Sequence, residues 1–412
     1  MRFRPFHFVK FSVFALLAWT TQSSQLSRLG QRDLTQLSTE QIVALANSVD
    51  PVKNIDTRNP DSHLSRLLIP RSGALCIFDR QCVFLMPRLV VGSENSTFVR
   101  QHITAALRAL NWHVEEDRFT EYTPYGQRSF TNIIATKDPS ALRRIIVSAH
   151  YDSKFFPTYP ENQFVGATDS AASCAMMLDL AEALNPLLDD REQRLLDGQE
   201  DDEDLAETTL QLVFFDGEEA FKEWTDADSV YGARHLSGKW ATTYVAPHMK
   251  RRLISHSMTE LGGIEHLILL DLLGAPSPSV RSYFTDTAWL FDSLASAERR
   301  LHESGVLIDS EDAATFQSFF VPRRGNEFNY GYIADDHIPF LQRGVNVLHL
   351  IPYPFPGVWH TLRDDATALD ISTMRRWNLV LRVFMSEYLG LQPKLDSIQT
   401  RHEHIKRFEY EL

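Results

Sequence analysis

Three short polar segments, each at the end of an apolar run, contain the residue types best suited to catalysis. Asp169 lies in Gly-Ala-Thr-Asp-Ser, Glu219 in Phe-Asp-Gly-Glu-Glu, and His360 in Val-Trp-His-Thr. Two carboxylates and one imidazole suit a single Zn²⁺, and three protein ligands leave a fourth coordination position open. An open position is typical of a catalytic zinc ion. Glu218, directly before the predicted ligand Glu219, is placed to act as a general acid and base.

These polar segments follow stretches that have strand character. Four apolar runs have the composition of strands buried on both faces: residues 145–147, 210–215, 267–270 and 345–351. Helical patterns cover residues 39–47, 96–110, 173–184 and 289–303. The alternation of the two patterns predicts an α/β layered fold. Functional sites in such folds gather outside the carboxyl ends of the strands, so the polar residues that follow the runs can meet there.

The composition excludes some classes of protein. The 412-residue chain carries 41 Lys and Arg against 54 Asp and Glu, for a formal net charge of −13. Much of the acidic excess lies in residues 189–207, a pattern typical of a solvated loop. No basic stripe indicates nucleic-acid binding. Three cysteines cannot form a disulfide framework, and the pairing of Cys76 with Cys82 stays open.

The first 32 residues have the pattern of a targeting segment. Three basic residues lie within positions 1–10, an apolar stretch covers 11–19, and polar residues follow at 20–24. This layout is typical of a secretory signal, and the apolar stretch is too short for a stable membrane span. Because no acidic residue occurs before Asp33, a mitochondrial presequence is the alternative.

Together, the motifs resemble those of the glutaminyl-peptide cyclotransferases, zinc enzymes related to the M28 aminopeptidases. The resemblance covers residues 41–391 and is carried by the segments 148–154, 166–171, 214–221, 269–272, 335–340 and 354–360. It implies a single α/β domain over residues 33–412, with a central, mostly parallel twisted sheet flanked by helices. It also implies one Zn²⁺ per chain and peptide or protein substrates that begin with glutamine or, more slowly, glutamate.

The resemblance assigns a role to each candidate site residue. Asp169, Glu219 and His360 would hold the zinc ion, and Glu218 would be the acid and base. Asp271 and Asp335 would be hydrogen-bonded partners of Glu218. Three aromatic residues would shape the substrate pocket: Trp224, Phe355 and Trp359.

The chemistry of that family suits these residues. Closing an N-terminal glutamine into pyroglutamate is intramolecular, so nucleophile and electrophile are already tethered. Glu218 can take a proton from the α-amine and give it to the departing ammonia. A zinc ion can polarise the γ-carbonyl, and the Trp359 indole N–H can donate to the same oxygen.

Other interpretations remain. A two-zinc aminopeptidase can use His150 and Asp271 beside the predicted ligands, although the resemblance gives His150 a structural role. A binding protein without activity is a second alternative, which the intact ligand set argues against. Asp335 and Asp336 can instead cap the helix that contains Pro339, and this is the interpretation we favour for Asp336. The chain also departs from the family pattern: Ala149 replaces a cysteine that would pair with Cys174, and residues 72–89 look like an insertion.

Overall fold

A six-stranded mixed sheet forms the centre of the structure. The strands are β1 (His113–Thr123), β2 (Gly126–Thr136), β3 (Arg143–His150), β4 (Thr208–Phe215), β5 (Ile264–Leu270) and β6 (Val347–Leu350), in the spatial order β1-β2-β4-β3-β5-β6. The pairs that join β4, β3, β5 and β6 are parallel, whereas β1–β2 and β2–β4 are antiparallel. The expected α/β fold is confirmed, and its parallel core carries an antiparallel hairpin at one edge.

The computed structural model describes residues 33–72, 91–199, 207–245, 258–307, 316–323 and 333–395. The helices are α1 (Thr39–Ser48), α2 (His63–Leu67), α3 (Val91–Ala109), α4 (Ala172–Leu196), α5 (Tyr231–Thr242), α6 (Ala288–Glu303), α7 (Ile338–Leu341) and α8 (Ile371–Tyr388). Short 3₁₀ turns cover Glu161–Gln163, Leu261–Gly263 and Ala366–Ala368. None of the described helices is both long and apolar enough to cross a membrane.

The parallel strands are buried on both faces because their side chains alternate between two apolar cores. In β4, Leu212 and Phe214 belong to the larger core, whereas Val213 and Phe215 belong to the smaller one. Helices α4, α6 and α8 contribute to the larger core, and α5 contributes to the smaller. A strand that is covered on both sides has a continuous run of apolar residues in its sequence. The four predicted runs are confirmed as strands β3, β4, β5 and β6.

The expected acidic loop at residues 189–207 is partly wrong. Helix α4 continues to Leu196, and β4 begins at Thr208. Arg191 explains the longer helix: its buried guanidinium donates to the carbonyls of Leu389 at 3.3 Å and Thr208 at 3.0 Å, which attaches this part of α4 to the core. Residues 200–206 lie outside the described residues, as do the targeting segment 1–32, residues 73–89 of the expected insertion, and Cys76 and Cys82.

A fully buried ion pair joins α4 to α8. Arg382 donates to Asp179 through Nε at 3.0 Å and Nη2 at 2.8 Å, and neither side chain is exposed. We expect Asp179→Ala to lower the free energy of unfolding by about 3–5 kcal/mol, because it leaves a guanidinium buried without its counter-ion. Urea unfolding measures this change.

The matched control for the buried pair is Asp61→Ala. It breaks the pair between Arg66 and Asp61, whose side chains are 41% and 76% exposed. Exposed pairs contribute little, so the control is expected to unfold close to the wild-type midpoint. Equal midpoints for both variants would show that the buried pair does not stabilise the fold.

Candidate active site

The loops that follow four neighbouring strands meet at one edge of the sheet. There they line a cavity of about 420 Å³. The nine residues predicted from sequence all line this cavity: Asp169, Glu218, Glu219, Trp224, Asp271, Asp335, Phe355, Trp359 and His360. They come from the turn after β3, the loops after β4, β5 and β6, and the segment before α7. The parallel core therefore brings together residues that are far apart in the chain.

Asp169, Glu219 and His360 converge as a candidate metal site. His360 Nε2 lies 3.4 Å from Asp169 Oδ2 and 3.3 Å from Glu219 Oε1. Both carboxylate oxygens are buried and accept no hydrogen bond from the described residues. Burial alone would lower the pKa of His360, but the two carboxylates raise it to about 9. Two buried carboxylate oxygens without a hydrogen-bond donor face one imidazole nitrogen, and this donor set fits a bound metal ion.

The turn that carries Asp169 depends on Gly166 and Asp364. Gly166 has a φ of +62°, and a Cβ there would lie 2.1 Å from the carbonyl oxygen of Asp169. The backbone N–H and the hydroxyl of Thr168 donate to Asp364 Oδ1 at 2.8 and 2.9 Å. Asp364 follows His360 in the same loop, so it ties two of the predicted metal ligands together. Sequence analysis did not identify Asp364.

Glu218 is held at the end of β4 by a buried carboxylate. The N–H groups of Glu218 and Glu219 donate to Asp152 Oδ1 at 3.1 Å and Oδ2 at 3.3 Å. Burial raises the pKa of Glu218 well above its ordinary value; the charge of His150 opposes this shift, and the charges of Glu219 and Asp335 add to it. A carboxyl with a raised pKa holds a proton more readily than an exposed one, which suits a group that must accept a proton and return it.

Asp271 and Asp335 lie in the same cavity, but their hydrogen bonds differ from those expected. Asp271 Oδ1 accepts from the Ser170 hydroxyl, and Asp335 Oδ2 lies 2.8 Å from His349 Nε2. Burial, followed by the charge of Asp335, raises the pKa of Asp271 to about 6. Although burial opposes it, the bond with His349 lowers the pKa of Asp335. The environment therefore favours a proton on Asp271 over one on Asp335.

The capping role expected for Asp336 is wrong. Helix α7 has His337 as its N-cap and no side-chain cap, and both carboxylate oxygens of Asp336 are buried without a hydrogen bond from the described residues. Burial and the neighbouring charge of Asp335 raise the pKa of Asp336 well above its ordinary value. His349 is 1% exposed, so it is a buried histidine that is paired with a cavity residue.

Aromatic residues form the outer part of the cavity. Trp359 stacks on His360 with a centroid distance of 3.9 Å, and Phe355 meets Trp359 edge-on at 4.9 Å. Trp224 and Trp359 are 43% and 40% exposed. Large, partly exposed rings beside buried carboxyls suit a pocket that encloses one small polar group and leaves the rest of a ligand outside.

A second group of candidate ligands shares Asp169 with the first. His150 Nε2 lies 3.0 Å from Asp169 Oδ1 and 3.5 Å from Asp271 Oδ1, and its Nδ1 lies 3.5 Å from Asp152 Oδ1. A third group consists of Asp335, His337 and His349. The arrangement of His150 therefore keeps the two-metal alternative open.

Two further buried residues support the segments that carry the site. Arg71 is fully buried, and its guanidinium donates to backbone carbonyls that include Tyr151 at 2.8 Å and Val165 at 2.7 Å. It thereby supports both ends of the segment between β3 and the Asp169 turn. Cys174 is free and buried, and its thiol donates to the His150 carbonyl at 3.2 Å.

The sequence and the fold of this chain are both similar to those of known proteins. Residues 132–385 match the model of Peptidase family M28. Glutaminyl-peptide cyclotransferase of Bos taurus is 45% identical over 305 residues, which are 73% of this chain and 78% of that protein. The enzyme of the same name from Boiga irregularis is 45% identical over 303 residues, 73% of this chain and 77% of the other. The crystal structure of Macrostomum lignano glutaminyl cyclase superposes with a TM-score of 0.69 at 34% identity, covering 88% of this chain and 97% of that chain.

Proposed function

The chain belongs to peptidase family M28 and, within it, to the glutaminyl-peptide cyclotransferases, and we propose that the cavity around Glu218 cyclises N-terminal glutamine to pyroglutamate. The observation that carries the proposal is the convergence of a metal-ligand set, a buried acid with a raised pKa and three aromatic residues in one cavity of about 420 Å³. A cavity of this volume lies within the range of small-molecule binding sites, so it has room for a glutamine residue.

We propose that Asp169, Glu219 and His360 hold one zinc ion. Aspartate, glutamate and histidine are ordinary zinc ligands, and three of them leave a position open. When bound there, zinc supplies Lewis-acid polarisation of the substrate carbonyl.

Glu218 acts as the proton carrier. It takes a proton from the α-amine, whose nitrogen forms a bond to Cδ, the carbonyl carbon of the side-chain amide, and it returns that proton to the amide nitrogen. The bond between Cδ and the amide nitrogen then breaks, and ammonia leaves. Because nucleophile and electrophile belong to the same residue, binding needs only to orient one glutamine. The backbone N–H of Glu218 donates to the Asp152 carboxylate, and this bond holds Glu218 in place for both proton transfers.

The other cavity residues bind and orient the substrate. Asp271 and Asp335 place negative charge near Glu218, which favours an amine at the inner end of the cavity. Trp224, Phe355 and Trp359 exclude water around the glutamine side chain. Peptides and proteins that begin with glutamine, and more slowly those that begin with glutamate, are the proposed substrates.

The experiment that tests this function is ammonia release from a glutamine-initiated dipeptide amide. A product that has lost one ammonia, detected by mass, confirms cyclisation. Release of free glutamine instead identifies the two-zinc aminopeptidase, which the arrangement of His150, Asp169 and Asp271 allows. Metal content separates the same two alternatives, because cyclisation is proposed to need one zinc ion per chain and hydrolysis two.

The substrate's own ionisation sets the expected pH dependence. An α-ammonium has no lone pair, so kcat/KM for glutamine peptides is expected to rise from about pH 6 to about pH 8, as the amine loses its proton near 7.7–8.0. Glutamate peptides are expected to react more slowly and to favour mildly acidic pH, because their γ-carboxylate is repelled by Glu218. Rates measured for both from pH 5 to 9 test this, and a flat glutamine profile would show that the amine is not the nucleophile.

For the location of the enzyme, we propose the secretory pathway, on the basic–apolar–polar pattern of residues 1–24. Expression in animal cells followed by N-terminal sequencing of the product tests this. Secreted protein that begins beyond residue 19 supports the proposal. Protein that is processed and retained in mitochondria supports the alternative instead.

A further inference from the structure

The cavity that contains the predicted site residues is lined by groups of both charges. Its inner wall holds buried carboxyls, among them Glu218 at 6% and Asp335 at 2% exposure. Two lysines also line it: Lys154, which is partly buried, and Lys222, which is exposed. A ligand whose amine lies against the buried carboxyls therefore has its remaining atoms on the side of the exposed Lys222.

The loop that bears Lys222 is fixed by a buried carboxylate. Asp228 accepts hydrogen bonds from the backbone N–H groups of Phe221 at 3.0 Å, Lys222 at 2.9 Å and Glu223 at 3.0 Å. Trp224, two residues after Lys222, lines the cavity as well, whereas the exposed Glu223 between them does not. The loop thus presents a cation and an aromatic ring to the cavity and leaves its own acidic side chain off the cavity wall.

The two lysines differ in how their charge is used. Lys154 Nζ lies 3.2 Å from Glu219 Oε2 and 3.5 Å from the carbonyl oxygen of Ala220, so its charge is paired within the site. The ion pairs of the described part of the chain include none with Lys222. The charge of Lys222 is therefore available to a ligand.

Resting on the proposed function, we propose that Lys222 selects, among peptides with an N-terminal glutamine, those that carry a carboxylate on the second residue. The α-amine of the substrate lies at the acidic inner end, and the glutamine side chain lies within the aromatic walls. The second residue then passes the mouth, where Lys222 and Trp224 stand on one loop. Its aspartate or glutamate side chain meets an unpaired ammonium there.

The size of the effect follows from the exposure of Lys222. An ion pair between exposed groups changes an equilibrium by roughly 1.5- to 5-fold. The preference for acidic peptides is therefore expected to be of that order in kcat/KM. It should disappear at about 0.5 M salt, because salt screens exposed charges over a few ångströms. The lysine acts on substrate binding, so KM carries the change and kcat does not.

Three tripeptide amides test this proposal: Gln-Glu-Ala, Gln-Gln-Ala and Gln-Lys-Ala. Gln-Glu-Ala and Gln-Gln-Ala differ only in the charge of the second residue, because glutamate and glutamine have nearly the same shape. Wild-type enzyme at low salt is expected to prefer Gln-Glu-Ala, with Gln-Lys-Ala poorest. In Lys222→Met the three values of kcat/KM should converge, in Lys222→Glu their order should reverse, and in Lys222→Arg the wild-type order should remain.

Lys53→Met is the matched control for loss of one positive charge, because Lys53 does not line the cavity. It should keep the wild-type preference. Normal turnover of Gln-Gln-Ala by Lys222→Met, together with an unchanged preference for Gln-Glu-Ala, would overturn the role of Lys222. If the wild-type enzyme releases ammonia from none of the three peptides, the proposed function itself is overturned.

Discussion

Glu218→Gln is expected to lower kcat by roughly 10²–10⁴-fold, the contribution typical of a general acid and base. The amide of glutamine can still hydrogen-bond, but it cannot carry a proton from the α-amine to the leaving nitrogen. The structure argues for this residue because burial and neighbouring carboxylates raise the pKa of its side chain, and because Asp152 fixes its backbone. Steady-state ammonia release measures the loss.

Zinc content and a neighbouring variant make the result specific. Glu218→Gln should keep its metal, since Asp169, Glu219 and His360 form the predicted ligand set. Glu223→Gln removes an exposed carboxylate from the same loop and should keep wild-type kcat. Near wild-type turnover by Glu218→Gln would exclude it as the proton carrier. Loss of metal from that variant would mean that the roles of Glu218 and Glu219 are exchanged.

Removal of the metal with a chelator is expected to abolish activity, and added Zn²⁺ is expected to restore it. Asp169 Oδ2 and Glu219 Oε1 are buried and accept no hydrogen bond from the described residues, so a bound cation would supply the partner that both oxygens lack. Without one, the carbonyl of the substrate loses the polarisation that lowers its barrier. Activity measured against metal content during titration with zinc tests this expectation.

Substitution of the imidazole provides an independent check on the metal. The His360→Ala variant should bind zinc much more weakly than the wild type. The control variant His113→Ala, which removes a histidine that is 55% exposed, should bind zinc normally. Undiminished turnover after verified metal removal would contradict the metal requirement. Reactivation that needs two zinc ions per chain would support the two-metal alternative built on His150, Asp169 and Asp271.

Much of the fold could be predicted because local pattern and burial agree. The apolar run of β4 is continuous, and all eight of its residues are buried. By contrast, β1 alternates between exposed and partly buried residues, and it pairs as a hairpin with β2. Its polar composition gives no apolar run, so its strand character depends on that pairing. Helix α8 was not predicted, although its first turn is capped by Asp370, which accepts a hydrogen bond from the backbone N–H of Thr373 at 2.8 Å.

The sequence by itself determined the residue types of the candidate site: the predicted metal ligands, the acid beside them and the aromatic residues are all present in short motifs, and all nine line the cavity. Tertiary structure decided which groups touch. Thr168 and Asp364 are 196 positions apart in the chain and hydrogen-bonded in the fold. Lys222 lines the cavity although nothing in its motif indicates this. Motifs report residue types and local spacing, whereas distances, burial and pKa values depend on long-range packing that no single segment encodes.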